Sequence, residues 1–146
     1  MVRFGLYGIV GWCCEIIWTA AGNVADALVN RRRPDARLTG HTYLWMFLIY
    51  GGGGLLFELA HAVVRGWPLA ARGVIYMLGC FAIEYTSGWT IRRAAGTVPW
   101  DYSESRWHVH NLIRLDYAPV WFAFGLLLEW VERLAHAVDP VLRTTF

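Results

Sequence analysis

The sequence is poor in charged residues and contains no lysine. Charged residues form 16% of the 146 residues, against about 25% in ordinary soluble domains. The net charge of +2 is too small for a nucleic-acid-binding surface, and no basic stripe alternates with stacking aromatics. The composition therefore excludes a nucleic-acid partner, and the 57% of hydrophobic residues favours a lipid environment.

Several motifs of catalysis and nucleotide binding are also missing. The chain has no phosphate-cradling Gly-x-x-x-x-Gly-Lys-[Ser/Thr] loop, so we expect no ATP to be bound by it. It has no Gly-x-Ser-x-Gly elbow either, and no motif identifies a cofactor, so the sequence favours a protein that is not an enzyme and leaves an enzyme as the alternative. Cys13, Cys14 and Cys80 all lie within apolar segments, which argues against a disulfide framework.

Four apolar blocks organise the chain, and each has at least the ~20 residues that a helix needs to cross the hydrocarbon core. Only helices and closed barrels satisfy the backbone in lipid, and strand-like alternation is absent. The sequence therefore predicts an all-α integral membrane bundle in a single transmembrane domain, 1–146, with a polar, partly ordered connector between helices three and four. The predicted transmembrane helices are about 4–29, 41–64, 69–91 and 117–138, the last ending before Asp139 and Pro140.

The distribution of arginine predicts the orientation of these helices. Eight of the 13 arginines lie in the first loop and in the connector. The positive-inside rule then puts those two segments in the cytoplasm and both termini outside, and we expect a bacterial inner membrane. No internal repeat is evident beyond the run Gly51–Gly54.

Polar and small residues follow one face of every predicted helix, and each face includes a glutamate. Counted from the side of the termini at about 1.5 Å per residue, Glu15 and Glu129 both lie ~14–16 Å deep. Glu58 lies shallower and Glu84 nearer the connector. Because carboxylates within a membrane default to functional hypotheses, these four residues predict a polar track that crosses the bilayer.

A metal site is the main alternative for some of these residues. Glu58 and His61 form a Glu-x-x-His motif on a helix, which in pairs builds di-iron sites in four-helix bundles. With only one such motif, the candidate metal ligands are Glu15, Glu58, His61 and Glu129. The structural alternative is an ion pair with Arg65 near the interface, and glutamates that act as hydrogen-bonded contacts between helices.

The order of motifs along the chain resembles a known family. These motifs are Gly11-Trp12 with Glu15, Glu84-Tyr85-Thr86-Ser87-Gly88, Trp100-Asp101-Tyr102-Ser103 and Asp116-Tyr117-Ala118-Pro119-Val120-Trp121. They are similar to the transmembrane protein 229 family, which includes bacterial proteins labelled as ABC-transporter permeases of the CmpB type. The resemblance covers almost the whole chain and implies a four-helix membrane fold, but it says little about activity.

The resemblance also carries over residue by residue. The positions that it makes family-typical are Glu15, Glu58, Glu84, Trp100, Asp101, Tyr102 and Ser103. One departure is Asn111, where relatives tend to have glycine. Within the tetrad, Asp101 and Ser103 can form a tight turn, and Trp100 and Tyr102 can anchor that turn at the interface.

The leading functional prediction is a small permease or channel-like protein that moves a proton, ion or small polar solute along the carboxylate track. Its lipid-embedded bundle is expected to be a homo-oligomer or to have a membrane partner. The alternatives are a membrane-embedded metal- or cofactor-binding protein or enzyme, and a non-catalytic membrane subunit. The candidate binding residues are Glu15, Asn23, Glu58, Glu84, Glu129 and the connector residues Trp100, Asp101, Tyr102 and Ser103.

Overall fold

The structure is a computed structural model that describes residues 1–145, and it contains four long helices. They are α1 (Val2–Val29), α2 (Leu44–Val64), α3 (Leu69–Ala95) and α4 (Ala118–Thr145). The prediction of a mostly helical chain with four helices is confirmed, while residue 146 of the predicted domain lies outside the described residues. The N-terminal end of α1 contacts the C-terminal ends of α2 and α4, so successive helices run in opposite directions.

Three of the predicted helix boundaries are wrong by several residues. Helix α2 begins at Leu44 because the preceding segment is bound to α1, where Thr42 donates to Glu15 and the His41 N–H donates to Thr19. Helix α3 runs past Arg92 to Ala95, since basic side chains stabilise the last turn of a helix.

Helix α4 also passes through the predicted stop at Pro140. Pro140 lacks the N–H that would bond the carbonyl of His136. The turns on either side keep their helical conformation, and α4 continues to Thr145.

Large apolar side chains lie on the outside of the helices. Leu44 is 81% exposed, Val63 74% and Ile17 68%. Among the described residues, α1 and α2 are both long and apolar enough to cross a membrane. Exposed apolar faces of this size in a soluble protein would associate, whereas lipid covers them at no cost. The outer surface of the chain is therefore suited to a membrane.

Glycines pack against aromatic rings where α1 meets α2. In four places a Cβ on the glycine of one helix would overlap an aromatic side chain of the other, so the two backbones approach closely. The contacts are Phe47 on Gly8, Tyr50 on Gly11, Phe4 on Gly51 and Tyr7 on Gly54. Each helix supplies two aromatic residues and two glycines, so the interface is reciprocal.

The α3–α4 interface repeats this packing. Tyr76 of α3 covers Gly125 of α4, as Tyr7 of α1 covers Gly54 of α2. A second contact is reversed between the pairs: Phe4 of α1 covers Gly51 of α2, whereas Phe122 of α4 covers Gly73 of α3. The two helix pairs are therefore packed by the same kind of contact.

The matching contacts reveal an internal repeat of a helical hairpin. In the first helix of each pair, arginine, tyrosine, a small residue and glutamate follow one another at intervals of four. These residues are Arg3, Tyr7, Gly11 and Glu15 in α1, and Arg72, Tyr76, Cys80 and Glu84 in α3. In the second helix of each pair, an aromatic residue, glycine and glutamate follow one another at the same interval. These residues are Tyr50, Gly54 and Glu58 in α2, and Trp121, Gly125 and Glu129 in α4. From the sequence alone no repeat was evident beyond Gly51–Gly54, and the helix contacts are what bring this one out.

The connector forms a small hairpin that covers the end of α3. Its strands are β1 (His108–Val109) and β2 (Ile113–Arg114), which pair antiparallel, and a short 3₁₀ helix at Leu115–Tyr117 leads into α4. The turn places Asn111 at φ 61°, a left-handed conformation that asparagine tolerates better than most residues. Trp100 donates to the carbonyl of Leu112 at 2.9 Å, and Leu112 is fully buried.

Candidate functional site

Ionisable side chains gather at the end of the bundle that holds both termini. We name this group the terminal cluster; it consists of Arg3, Tyr7, Glu58, His61, Arg72, Tyr76, Glu129, Glu132, His136 and Asp139. In its α1–α2 half, Arg3 pairs with one oxygen of Glu58, and the Tyr7 hydroxyl donates to the other at 2.8 Å. The carboxylate of Glu58 is therefore held by one cation and one hydroxyl.

The α3–α4 half of the terminal cluster has the same arrangement. Arg72 donates to both oxygens of Glu129, from Nε at 2.8 Å and from Nη2 at 3.2 Å. The Tyr76 hydroxyl donates to Glu129 Oε1 at 3.1 Å. Glu129 is only 7% exposed, so this two-pronged arginine contact compensates a buried charge.

Two histidines join the halves of the terminal cluster. His61 of α2 pairs with Glu132 of α4, and these residues occupy equivalent places, three after Glu58 and three after Glu129. His136 lies 3.7 Å from Glu58, and Arg3 also lies 3.5 Å from Asp139. The cluster is therefore a network of ion pairs and hydrogen bonds that ties all four helices together.

A second group of polar side chains lies toward the other end of the bundle, beneath the connector. We name it the connector cluster; it consists of Glu15, Thr42, Tyr50, Glu84, Tyr102 and Trp121. Thr42 donates to Glu15 at 2.6 Å, and the Tyr50 hydroxyl lies beside the same carboxylate. Tyr102 of the connector donates to Glu84 Oε1 at 2.8 Å. Burial and the nearby Glu84 charge raise the pKa of Tyr102, so its hydroxyl stays protonated and donates.

The connector cluster contains a buried donor and a buried acceptor that face each other. These are the Trp121 indole Nε1 and the Glu84 Oε2 atom, and they interact at a geometry outside the limits of an ordinary hydrogen bond. Buried polar groups almost always find a partner. The Trp121 indole is therefore the partner that α4 supplies to Glu84, as Tyr50 of α2 is a partner of Glu15.

The two clusters differ in whether an arginine meets the glutamates. Each cluster pairs a glutamate of one helix with a tyrosine or tryptophan of its partner helix. In the terminal cluster the glutamates Glu58 and Glu129 also meet an arginine. Over residues 1–145, neither Glu15 nor Glu84 forms a salt bridge. Their carboxylates meet hydroxyl groups and, at Glu84, the Trp121 indole.

The predicted site residues are divided between these clusters and the connector. Glu15, Glu84 and Tyr102 lie in the connector cluster, and Glu58 and Glu129 in the terminal cluster. The side chain of Asn23 donates to the carbonyl of Thr39 at 2.9 Å, so it ties the first loop to α1. Of the connector tetrad, Trp100 bonds Leu112, while Asp101 accepts from the Ser103 amide and hydroxyl at 3.0 Å each.

The predicted metal ligands are divided too. Glu58, His61 and Glu129 belong to the terminal cluster, whereas Glu15 belongs to the connector cluster. Within the described residues, no group of three or more His, Cys, Asp or Glu side chains is placed to hold a metal ion. The prediction that Glu58 pairs with Arg65 is also wrong, because Glu58 pairs with Arg3.

Sequence reasoning missed the two arginines that pair with glutamate. Arg3 and Arg72 each stand four residues before a tyrosine, one helical turn away on the same face. That spacing occurs in α1 and again in α3, and it is the signal that could have identified them.

Comparison with known proteins gives one family. The family model described as Putative ABC-transporter type IV, of the CmpB kind, matches residues 2–144. No solved structure matches the chain. The match spans all four helices and the connector. The chain therefore belongs to this ABC-transporter type IV family of transporter-related membrane proteins.

Proposed function

We propose that this protein is a small membrane permease or channel in which Glu15 and Glu84 bind and pass on a proton or a small cation. The observation that carries the proposal is that, within the described residues, neither Glu15 nor Glu84 forms a salt bridge, whereas Glu58 and Glu129 each pair with an arginine. An arginine fixes the charge of its carboxylate, whereas a buried carboxylate without a cation favours a bound proton or cation. A site that binds and releases a proton or a cation requires a carboxylate of the second kind.

The electrostatics of the connector cluster support the same proposal. Glu15 and Glu84 occupy equivalent places in the two hairpins, and Tyr50 interacts with both carboxylates. Glu15 and Glu84 form a pair of carboxylates without an arginine, and at low dielectric each favours a bound proton or cation over a bare charge. Such a pair exchanges protons or cations more readily than the arginine-bound pair at the other end.

In this proposal all four helices cross the bilayer as one domain, 1–146. Helices α3 and α4 have 27 and 28 residues, which at about 1.5 Å per residue exceeds a ~30 Å hydrocarbon core. The terminal cluster then holds the helices together outside the cytoplasm. The first loop and the connector face the cytoplasm of a bacterial inner membrane, as the arginine distribution predicts.

The connector acts as the gate in this proposal. Tyr102 reaches from the connector to Glu84, and Trp100 fixes the hairpin by its bond to Leu112. Release of the Tyr102 hydroxyl from Glu84 would open the connector cluster toward the cytoplasm. Glu15, Glu84, Tyr102 and Trp121 are therefore the residues that we assign to binding, and Glu58 and Glu129 to structure.

A flux assay in proteoliposomes tests the proposal. We would measure proton flux with an enclosed pH-sensitive dye, and ammonium, sodium and potassium flux in parallel. Glu84→Gln and Glu15→Gln are expected to lower the flux at least tenfold while the protein stays folded. The matched control is Glu104→Gln, which removes one exposed connector carboxylate and should leave the flux unchanged. Equal flux in Glu84→Gln and the control would contradict the proposal.

A second candidate is a membrane subunit that works with a separate ATP-hydrolysing chain. The family description favours it, because ABC transporters couple transport to ATP hydrolysis and this sequence has no phosphate-cradling loop. The exposed apolar side chains of α1 and α2 would then meet protein as well as lipid. Under this candidate the purified chain alone shows no flux, and flux appears only after addition of the ATP-hydrolysing partner.

A further inference from the structure

A basic groove lies on the outer side of α3, where the connector hairpin packs against it. We name it the anion groove; it is lined by Tyr85, Trp89, Arg92, Arg93, His110 and Leu112, and its volume is about 330 Å³. Its lining includes two arginines and no carboxylate. We propose that the anion groove binds the phosphate-bearing headgroup of an anionic phospholipid.

The groove is held in shape by contacts between α3 and the hairpin. Both terminal nitrogens of Arg92 donate to the carbonyl of His110 at 3.1 Å. The His110 ring Nδ1 lies 2.8 Å from the Tyr85 hydroxyl. His110 adopts φ 53°, a conformation that is unfavourable for histidine and that its neighbours must stabilise. This strained residue therefore sits in a wall of the groove that is formed in advance of binding.

Arg93 is the residue best placed to meet a phosphate. Its guanidinium lies over the Trp89 ring, 4.7 Å from the ring centre, and Trp89 itself is 47% exposed. Stacking on an indole orients a guanidinium while its N–H groups stay available to an anion. Arg92 adds a second positive charge close by. A phosphodiester offers the negative charge and the acceptor oxygens that two arginines prefer.

The depth of the groove favours a lipid as the source of that phosphate. From Leu69 to Arg92, α3 spans about 35 Å at about 1.5 Å per residue, slightly more than the ~30 Å core of a bilayer. Arg92 and Arg93 therefore lie at headgroup level if α3 crosses the membrane. Trp89 and the exposed Trp107 are aromatic residues of the kind that settle at this boundary.

The predicted orientation puts the groove in the leaflet that carries anionic lipid. The connector is assigned to the cytoplasmic side by its arginines, and cytoplasmic leaflets hold the negatively charged phospholipids. The inference requires α3 to cross the membrane, but it does not depend on transport by Glu15 and Glu84. A chain that transports nothing would keep the anion groove.

A lipid titration of the purified full chain tests the inference. We would add short-chain phosphatidylglycerol, phosphatidylcholine or inorganic phosphate to the protein in non-ionic detergent, and measure binding by native mass spectrometry. We expect phosphatidylglycerol to bind at least tenfold more tightly than phosphatidylcholine, and inorganic phosphate to bind weakly. Arg93→Gln should weaken phosphatidylglycerol binding about fivefold, the effect typical of one basic residue at a membrane surface.

A matched variant distinguishes binding in the anion groove from nonspecific attraction of the lipid to positive charge. Arg133 is also stacked on a tryptophan, with its guanidinium 5.3 Å from the ring centre of Trp130, but it lies outside the anion groove. Arg133→Gln should therefore leave binding unchanged. Arg93→Lys keeps the charge but loses the stacked guanidinium, so it should recover only part of the binding. Arg93 is chosen because Arg92 also bonds the hairpin.

Three results would overturn the inference. The first is equal binding of phosphatidylglycerol and phosphatidylcholine. The second is an equal loss of binding in Arg133→Gln and Arg93→Gln. The third is binding of inorganic phosphate as tightly as phosphatidylglycerol, which would make the groove a site for a soluble anion.

Discussion

The terminal cluster and the connector cluster are built from the same pattern, an aromatic residue that faces the glutamate of its partner helix. At the terminal end, Tyr7 and Tyr76 donate to Glu58 and Glu129, and an arginine joins each pair. At the connector end the glutamates have no arginine within the described residues. One extra cation turns a carboxylate into a fixed structural contact, whereas its absence leaves the carboxylate free to take up a proton or a cation.

The largest expected effect comes from removal of a terminal arginine. Arg72→Gln leaves Glu129 buried without its cation, and breaking a buried ion pair costs about 3–5 kcal/mol. Glu84→Gln removes a charge that has no cation, so the free energy of unfolding should change far less. Unfolding of both variants in detergent, followed by tryptophan fluorescence, checks the difference. If Glu84→Gln destabilised the protein as much as Arg72→Gln, the division into a structural and a functional end would be wrong.

A smaller effect is expected from crowding the α1–α2 interface between the two clusters. A Cβ on Gly54 would overlap the Tyr7 ring, so Gly54→Ala should destabilise the protein by about 1–3 kcal/mol. No atom lies within 4 Å of a Cβ on Gly52, so Gly52→Ala should be neutral or stabilise by up to about 1 kcal/mol. Thermal unfolding of the two variants in detergent measures the contrast. Similar melting temperatures would mean that close helix contact at Gly54 does not matter.

The internal repeat can be tested through its one reversed contact. Phe4 covers Gly51 in the first hairpin, but in the second hairpin Phe122 covers Gly73 from the opposite helix. Phe4→Gly and Gly51→Phe should each destabilise the protein, one by a cavity and the other by a clash. The double variant should recover about 1–3 kcal/mol of this loss, the coupling typical of residues in contact. Additive losses would show that the two hairpins do not pack in an equivalent way.

The smallest effect concerns the surface pair that leads into α4. Arg114 donates to Asp116 at 2.7 Å, and this bond lowers the pKa of Asp116. A lowered folded pKa means that the pair contributes stability above the ordinary aspartate value of about 3.9, and that this contribution is lost as pH falls through the lowered value. An NMR titration of Asp116 should show a midpoint below the ordinary value, and Arg114→Gln should restore it. An ordinary midpoint in the unmodified protein would contradict the prediction.

Some residues of the site could be read from the sequence because their signal is local. A glutamate within an apolar helix can be identified from the sequence whichever way its side chain points. Glu15, Glu58, Glu84 and Glu129 were therefore all candidates. The left-handed turn at Asn111 has a conformation for which glycine is the default residue. The partners of these residues were not local. Arg3 and Glu58 are far apart in the chain and meet only because α1 and α2 are antiparallel.

The repeat shows the same limit. Its residues are present in the sequence at intervals of four, yet arginine, tyrosine and glutamate recur at such intervals by chance. The pattern became recognisable when the structure showed Tyr7 and Tyr76 donating to the glutamates of their partner helices. The exchange of phenylalanine and glycine between the hairpins hides the relation further, because the contact is kept while the residues change places.

Composition and periodicity by themselves determined the helical class, the four helices and a surface suited to lipid, since these follow from hydrophobic runs and backbone hydrogen bonding along the chain. Tertiary structure alone decided which glutamates have a cation and which do not. The physical reason is that the state of a buried carboxylate depends on the charges and donors within a few ångströms of it. Those neighbours come from other helices, and only helix packing brings them together.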